Sequence, residues 1–333
     1  MSRKLITIST IMTLMSTSVI ADVPNVAADI APIHSLVSRV MDGVGAPKLI
    51  VQSGASPHGY RLRPSEAKAL QDADHVFWMG EELTPWLDSA IGTLASKASV
   101  TTLLDQEGVT LHDFREGALF EAHDHSAHGD DDHDDHDDHD DHDDHKDHDD
   151  HDDHKDHDDH DDHGSHDPHA WLSPENAKLW LNIIASKLSV SDPENAATYF
   201  MNAAAGQAEI EAMIAEVKAT LKPVQGGKFV VFHDAYQYFE NDFDFYASGA
   251  ISLSDSSDPS PARIEKVQKR IRDEGIQCVL AEPQFKKGLV ATVMEGSDAT
   301  ASVIDPLGAE LETGPKLYTR LIKNMAKILR NCL

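Results

Sequence analysis

The run Asn25-Val26-Ala27-Ala28-Asp29 opens an alternation that decides the fold class. It is short and apolar with polar residues at both ends, which reads as a buried strand. Behind it, Ile33–Met41 carries Ile33, Leu36, Val37 and Val40 at helical spacing. Lys48–Gln52 reads as a second strand, Ser65–Asp74 as a helix after Pro64, His75–Met79 as a third strand and Glu82–Leu94 as a helix. Strands and helices in strict succession predict an α/β fold with a mainly parallel sheet covered by helices. The alternation returns late in the chain: Lys228–Phe232, Gln277–Ala281 and Ser302–Ile304 read as strands, Ser260–Asp273 and Leu317–Leu329 as helices. Between the two runs, Ser173 is a good N-cap with Pro174 in the first turn, for a helix reaching about Leu188. A second helical pattern runs from Pro193 to Leu221. At ~1.5 Å per residue it is about 40 Å long, enough to join two lobes. The expected organisation is an N-terminal lobe over 22–120 completed by 167–192, a linking helix over 193–222 and a C-terminal lobe over 223–333.

The chain has 333 residues, room for roughly two domains, and a formal charge of −30. That balance excludes nucleic acid and anionic membrane surfaces as partners, since both call for basic patches. The charge is concentrated. Residues 123–167 hold 23 Asp and 2 Lys, together with 15 of the 21 His. Within an insert at 121–166, eleven His recur every third residue: His133, His136, His139, His142, His145, His148, His151, His154, His157, His160 and His163. Nothing apolar lies between Gly129 and Gly164. Such a segment has no surface to bury against its ordering entropy and is expected to be disordered. A period of three does match polyproline II, which would line the His on one side. The insert reads as a low-affinity metal collector, because imidazoles bind Zn²⁺ at neutral pH and the Asp field concentrates cations. A solvated acidic spacer is the plain alternative.

Arg3 and Lys4 precede an uncharged stretch, Leu5–Ile20, and Val19-Ile20-Ala21 fits a cleavage site. Residues 1–21 therefore read as a signal peptide, with Asp22 starting an exported, periplasmic chain. The alternative, an uncleaved anchor, is disfavoured because the run falls short of ~20 strongly apolar residues. Two cysteines, Cys278 and Cys332, predict one disulfide in an oxidising compartment, against the alternative of two free thiols.

Outside the insert region, the His are His34, His58, His75, His112, His169 and His233. Three sit where α/β proteins hold ligands, beyond strand ends or at a helix start. His58 lies in the loop Gly54-Ala55-Ser56-Pro57-His58, His169 precedes the capped helix, and His233 ends the strand Phe229–Phe232. Asp305 ends another strand. The four come from both lobes and converge on the cleft between them. Three neutral imidazoles with one carboxylate or water make a tetrahedral Zn²⁺ shell. His34 and His75 read as structural and His112 as exposed. Glu81 and Glu82 read as acids at a helix N-terminus. Glu282 is a candidate for supporting the site from behind.

These segments resemble a known family. Gly54-Ala55-Ser56-Pro57-His58, Leu62-Arg63-Pro64-Ser65, His169-Ala170-Trp171-Leu172-Ser173-Pro174, Phe232-His233-Asp234-Ala235-Tyr236, Ala281-Glu282-Pro283-Gln284-Phe285 and Asp305-Pro306-Leu307-Gly308 are similar, in order, to the ZnuA-type periplasmic zinc-binding proteins of bacterial ABC zinc importers. The resemblance implies two Rossmann-like lobes, a rigid linking helix and Zn²⁺ in the cleft. It carries the metal-binding positions onto His58, His169 and His233, and the fourth onto Asp305 or a water. It also supports the Cys278–Cys332 disulfide, and family members often carry a His-rich loop at this point. Manganese-specific relatives have Glu where His233 stands. The implied function is capture of Zn²⁺ and delivery to an inner-membrane ABC permease by a monomer that is not an enzyme. A metallohydrolase would need a general base beside an open zinc position, and no HExxH helix is present. A zinc buffer or adhesin without a transporter and a manganese carrier are the alternatives.

Overall fold

The computed structural model describes residues 23–115, 119–120, 166–252, 259–284 and 287–333. The expected signal peptide and the eleven-His repeat lie outside them. Before the insert come β1 (Val26–Ala28), α1 (Ala31–Val40), β2 (Lys48–Leu49), α2 (Pro64–Gln71), β3 (His75–Trp78), α3 (Pro85–Leu94) and β4 (Ser99–Thr102). After it come α4 (Pro174–Ser191), α5 (Ala196–Leu221), β5 (Phe229–His233), α6 (Gln237–Phe243), β6 (Ala250–Ser252), α7 (Pro261–Glu274), β7 (Cys278–Ala281), α8 (Lys287–Met294), β8 (Thr300–Val303) and α9 (Leu317–Cys332).

The strands make two four-stranded sheets, ordered β2-β1-β3-β4 and β6-β5-β7-β8, with every pairing parallel. The two lobes therefore share one topology. In each, the first strand has its successors on either side, so its C-terminal end is a switch point where a crevice opens. His233 is the last residue of β5 and stands at that point in the second lobe. The buried strands carry continuous apolar runs, as parallel strands covered on both faces require.

Four elements were not legible as such. Strand β4 is an edge strand of Ser, Val and Thr with two exposed residues, so no apolar run marks it. Strand β6 has only three residues, and helices α6 and α8 have seven and eight, too short for a helical period to show. Helix α3 begins at Pro85, not Glu82, because proline is at home in the first turn.

Helix α5 runs for 26 residues and packs on α1, α4 and α9, elements from both sides of the molecule. Gly206 lets it approach closely, since a Cβ there would lie 2.9 Å from the Leu181 side chain and 3.1 Å from Arg39. One apolar core runs from Val26 through Trp180 and Tyr199 to Leu329 and so crosses between the lobes. Buried hydrogen bonds reinforce the crossing. Trp171 Nε1 donates to the Pro306 carbonyl at 2.8 Å, and the Tyr318 hydroxyl donates to the Trp171 carbonyl at 2.9 Å. A shared core of this kind opposes hinge motion, so the cleft is a largely preformed site.

Cys278 and Cys332 are joined, with Cα atoms 5.6 Å apart and a sequence separation of 54. Closing that loop is worth ~4 kcal/mol in the chain-entropy model. Cys278 begins β7, and the cleft lies past the strand's other end. Reduction should therefore lower the melting temperature by several degrees while changing metal affinity little. Melting curves and metal titrations with and without reductant check this, and a parallel loss of affinity would tie the disulfide to the site.

Asp29, just after β1, is fully buried and accepts N–H bonds from Ile30 and Met79, each at 2.7 Å. Burial pushes its carboxyl up to about 7, against those two bonds. A folded pKa above the unfolded one means that the folded state holds a proton the unfolded chain has released. The stabilisation is present at low pH and lost as pH rises through about 7. Asp29→Asn carries no such proton. The stability gap between wild type and this variant should narrow by on the order of 2 kcal/mol from pH 5 to pH 8. Urea unfolding at both pH values measures it, and an unchanged gap would show that Asp29 stays ionised throughout.

Candidate metal centre

Each of the three imidazoles is held by local chemistry readable in its segment. His58 sits in the loop between β2 and α2. The Trp86 indole N–H donates to the Pro57 carbonyl at 2.7 Å and pins that loop. Tyr60, packed on Trp86 with ring centroids 5.7 Å apart, donates to Glu66 at 2.8 Å. Glu66 in turn accepts the Arg63 backbone N–H at 2.7 Å, capping α2 where Pro64 starts it.

His169 follows Asp167 and Pro168 and leads through the 3₁₀ turn Ala170–Leu172 to Ser173, whose hydroxyl caps α4. Asp167 Oδ1 accepts both the His169 backbone N–H, at 3.0 Å, and His169 Nδ1–H, at 2.6 Å. His233 Nδ1 meets Glu282 Oε1 at 2.9 Å, and the other Glu282 oxygen accepts from Gln284 at 2.7 Å. Burial pushes the Asp167 carboxyl up to about 6, against its bond from the His169 backbone and the charge of Arg115.

These carboxylates assign the tautomers. With Nδ1 donating in both rings, each Nε2 carries its lone pair into the cleft. The two Nε2 atoms are 3.2 Å apart. Two nitrogen lone pairs at that distance repel unless an electrophile lies between them. For Zn–N bonds of ~2.0–2.1 Å in a tetrahedron, the N···N edge is about 3.3–3.4 Å. The observed spacing fits such an edge.

Ligand atoms of His58, His169 and His233 all lie within 4.8 Å of one another. His169 and His233 are buried, 4% and 3% exposed, and His58 is half-buried at the mouth. The rings are tilted to one another, with centroids 4.9 to 6.4 Å apart. Tilted rings allow three lone pairs to converge on one point, which stacked rings would not.

Asp305 is not in that group. Its carboxylate organises the loop after β8, accepting N–H bonds from Leu307 at 2.9 Å, Gly308 at 3.0 Å and Ala309. That loop faces the His58 loop, since a Cβ on Gly54 would lie 3.9 Å from Ala309. Glu81 and Glu82 precede α3 and take no part in the cluster. His34 meets the Pro47 carbonyl at 3.2 Å, and burial lowers its pKa. His75, at the far end of β3, meets the Ser191 hydroxyl at 2.6 Å, and burial lowers its pKa too. Both are structural. His112, expected to be exposed, is half-buried against Tyr238 with ring centroids 4.7 Å apart. Asp167 went unassigned in the sequence, although an Asp two residues before a site His is the available signal.

Among the described residues, no helix is long and apolar enough to cross a membrane. Residues 26–332 match the family described as zinc-uptake complex component A, periplasmic. A relative in Brucella abortus, the high-affinity zinc uptake system protein ZnuA, is 50% identical over 308 residues, 92% of this chain and 91% of its own. The protein of the same name in Paracoccus denitrificans is 45% identical over 94% of this chain and 93% of its own. A crystal structure of ZnuA superposes with a TM-score of 0.70 at 21% identity, covering 93% of this chain and 99% of that one. Matched along its described length in sequence and in two-lobed fold, the chain belongs to the periplasmic zinc-uptake component A family.

Proposed function

We propose that this chain captures Zn²⁺ between its two lobes and delivers it to an inner-membrane ABC permease, acting in the periplasm as a transport component. His58, His169 and His233 are the ligands, and Asp305 or a water completes the shell. The observation that carries the reading is the pair of Nε2 atoms 3.2 Å apart, each ring fixed from behind by a buried carboxylate. Three nitrogen donors favour zinc over manganese, which prefers oxygen. The relatives named as high-affinity zinc uptake proteins support the same cargo. Asp167 and Glu282 raise the basicity of the two buried imidazoles and hold their orientation, which prepays part of the binding cost. The working unit is a monomer released by cleavage after Ala21, with lobes over 22–120 plus 167–192 and over 223–333. The insert collects further zinc at weaker sites.

Titration of the mature protein with Zn²⁺ and Mn²⁺, read by metal analysis and competition with a chelator, tests this. One tight zinc ion above a set of weaker ones is expected, with manganese displaced by stoichiometric zinc. Tighter manganese than zinc would sink the reading. Growth of a deletion strain under zinc starvation separates import from buffering.

A further inference from the structure

The two roots of the insert meet each other. Asp113 and His166 form an antiparallel bridge, and the Asp167 N–H donates to the His112 carbonyl at 2.7 Å. From this joint the first root crosses to α6 of the second lobe. The His112 N–H donates to the Tyr238 hydroxyl at 3.1 Å, and the two rings pack together. Three residues on, the Arg115 guanidinium enters between two carboxylates. Its Nε donates to both Asp234 oxygens at 3.1 Å, Nη1 donates to Glu240 Oε2 at 2.6 Å, and Nη2 closes on Asp234. The Phe120 ring covers the guanidinium at 3.6 Å. The Asp234 and Glu240 side chains are 7% and 1% exposed, and that of Arg115 is 16% exposed.

We propose that Arg115 is a positioning residue for metal capture: rooted in the first lobe beside the insert, it clamps Asp234 and Glu240 of the second lobe and so holds His233 in reach of His58 and His169. The inference rests on the reading of those three imidazoles as the zinc site. Arg115 acts through Asp234, the next residue after His233, in a tight turn where the Ala235 N–H returns to the His233 carbonyl at 3.0 Å. A planar fork holds two carboxylates at once in a fixed geometry, whereas an ammonium is a compact charge on a flexible stem and fixes their orientation less well. Without the guanidinium, two buried carboxylates lose the cation that bridges them, and relief requires water or movement of that turn. Either outcome shifts His233 away from its partner imidazole. The clamp also ties the insert's first root to the cleft.

Zinc release from the loaded full-length protein into excess chelator gives a fast phase from the weak sites and a slow phase from the tight one. Arg115→Met should speed the slow phase roughly ten- to hundredfold, the range for loss of a ligand's supporting contact. Arg115→Lys keeps the charge and loses the fork, and should speed release by about threefold. His233→Ala is the control for the site itself and should abolish the slow phase. If the slow phase survives His233→Ala, the site reading fails and the clamp with it. If His233→Ala removes it and Arg115→Met releases zinc at the wild-type rate, the clamp alone is wrong. Equal acceleration in the Met and Lys variants, in step with a fall in apo melting temperature, would make Arg115 a purely structural residue and also overturn the proposal. Should Arg115→Met fail to fold, Arg115→Lys decides: release at the wild-type rate overturns the clamp.

Discussion

His169→Ala and His233→Ala should each weaken zinc binding at the tight site by a hundredfold or more, and His58→Ala by well over tenfold. Each substitution removes one of three nitrogen donors, and water is the only replacement. For the two buried residues the loss is compounded. Removing His169 leaves Asp167, 1% exposed, without its imidazole partner, and removing His233 does the same to Glu282, 3% exposed. Buried acceptors stripped of a donor rearrange the site around them. His58 is half-buried on a loop, so water reaches the space its ring would vacate more readily than it reaches the other two. The affinity ranking should therefore put His58→Ala as the mildest, and apo melting temperatures should follow the same order. Asp305→Ala should cost less affinity than any of the three, since water can take the fourth place. Its loop should loosen, though, because three backbone N–H groups lose their acceptor. Chelator competition on purified variants measures all four. A His variant that keeps wild-type affinity removes that residue from the shell.

What was legible in the sequence follows the range of the forces involved. The strands that pair in register at the centre of each sheet carry apolar runs, and of the three His, His58 lies in the loop after a strand, His233 ends one and His169 shortly precedes a cap. Both signals are local, so position along the chain exposed them. The supporting shell is local only in part. Asp167 reaches His169 across two residues and could have been read from that spacing, whereas Glu282 was a candidate only by its place at a strand end, since it lies 49 residues from His233 and meets it because β5 and β7 are neighbours. Arg115 was not legible at all. Its partners lie 119 and 125 residues away, and its own segment looks like the polar approach to a low-complexity insert. His112 was misjudged for the same reason, since the ring that covers it belongs to α6. Asp305 is the converse case. Its place at a strand end marks it as a ligand, while in the structure its carboxylate is shared with the loop's own N–H groups.

Deleting Asp124–Ser165 should cut the zinc stoichiometry from several ions per chain to a single tightly held one, with apo melting almost unchanged. The segment contains thirteen His, and Ala127 is its only apolar residue, so neither core loses anything. Closure of the gap is already arranged. Asp113 and His166 pair across the insert's base, and the shortened connection keeps residues 114–123 to span it. The cut also leaves Arg115 and Phe120 in place, so the contact with α6 survives it. A deletion begun before Arg115 should behave differently, losing the tight site along with the weak ones. Electrostatics sets the consequence for uptake. The segment carries 22 Asp and 2 Lys, and removing it takes the formal charge from −30 to −10. A field of that size raises the local concentration of divalent cations over roughly one Debye length, about 8 Å at physiological salt. That gain matters when free zinc is scarce and vanishes when it is plentiful. The deleted strain should therefore fall behind wild type only under zinc starvation, and the deficit should shrink as ionic strength rises. Equal zinc stoichiometry in the full-length and deleted proteins would mean that the repeat binds no metal and serves as a spacer.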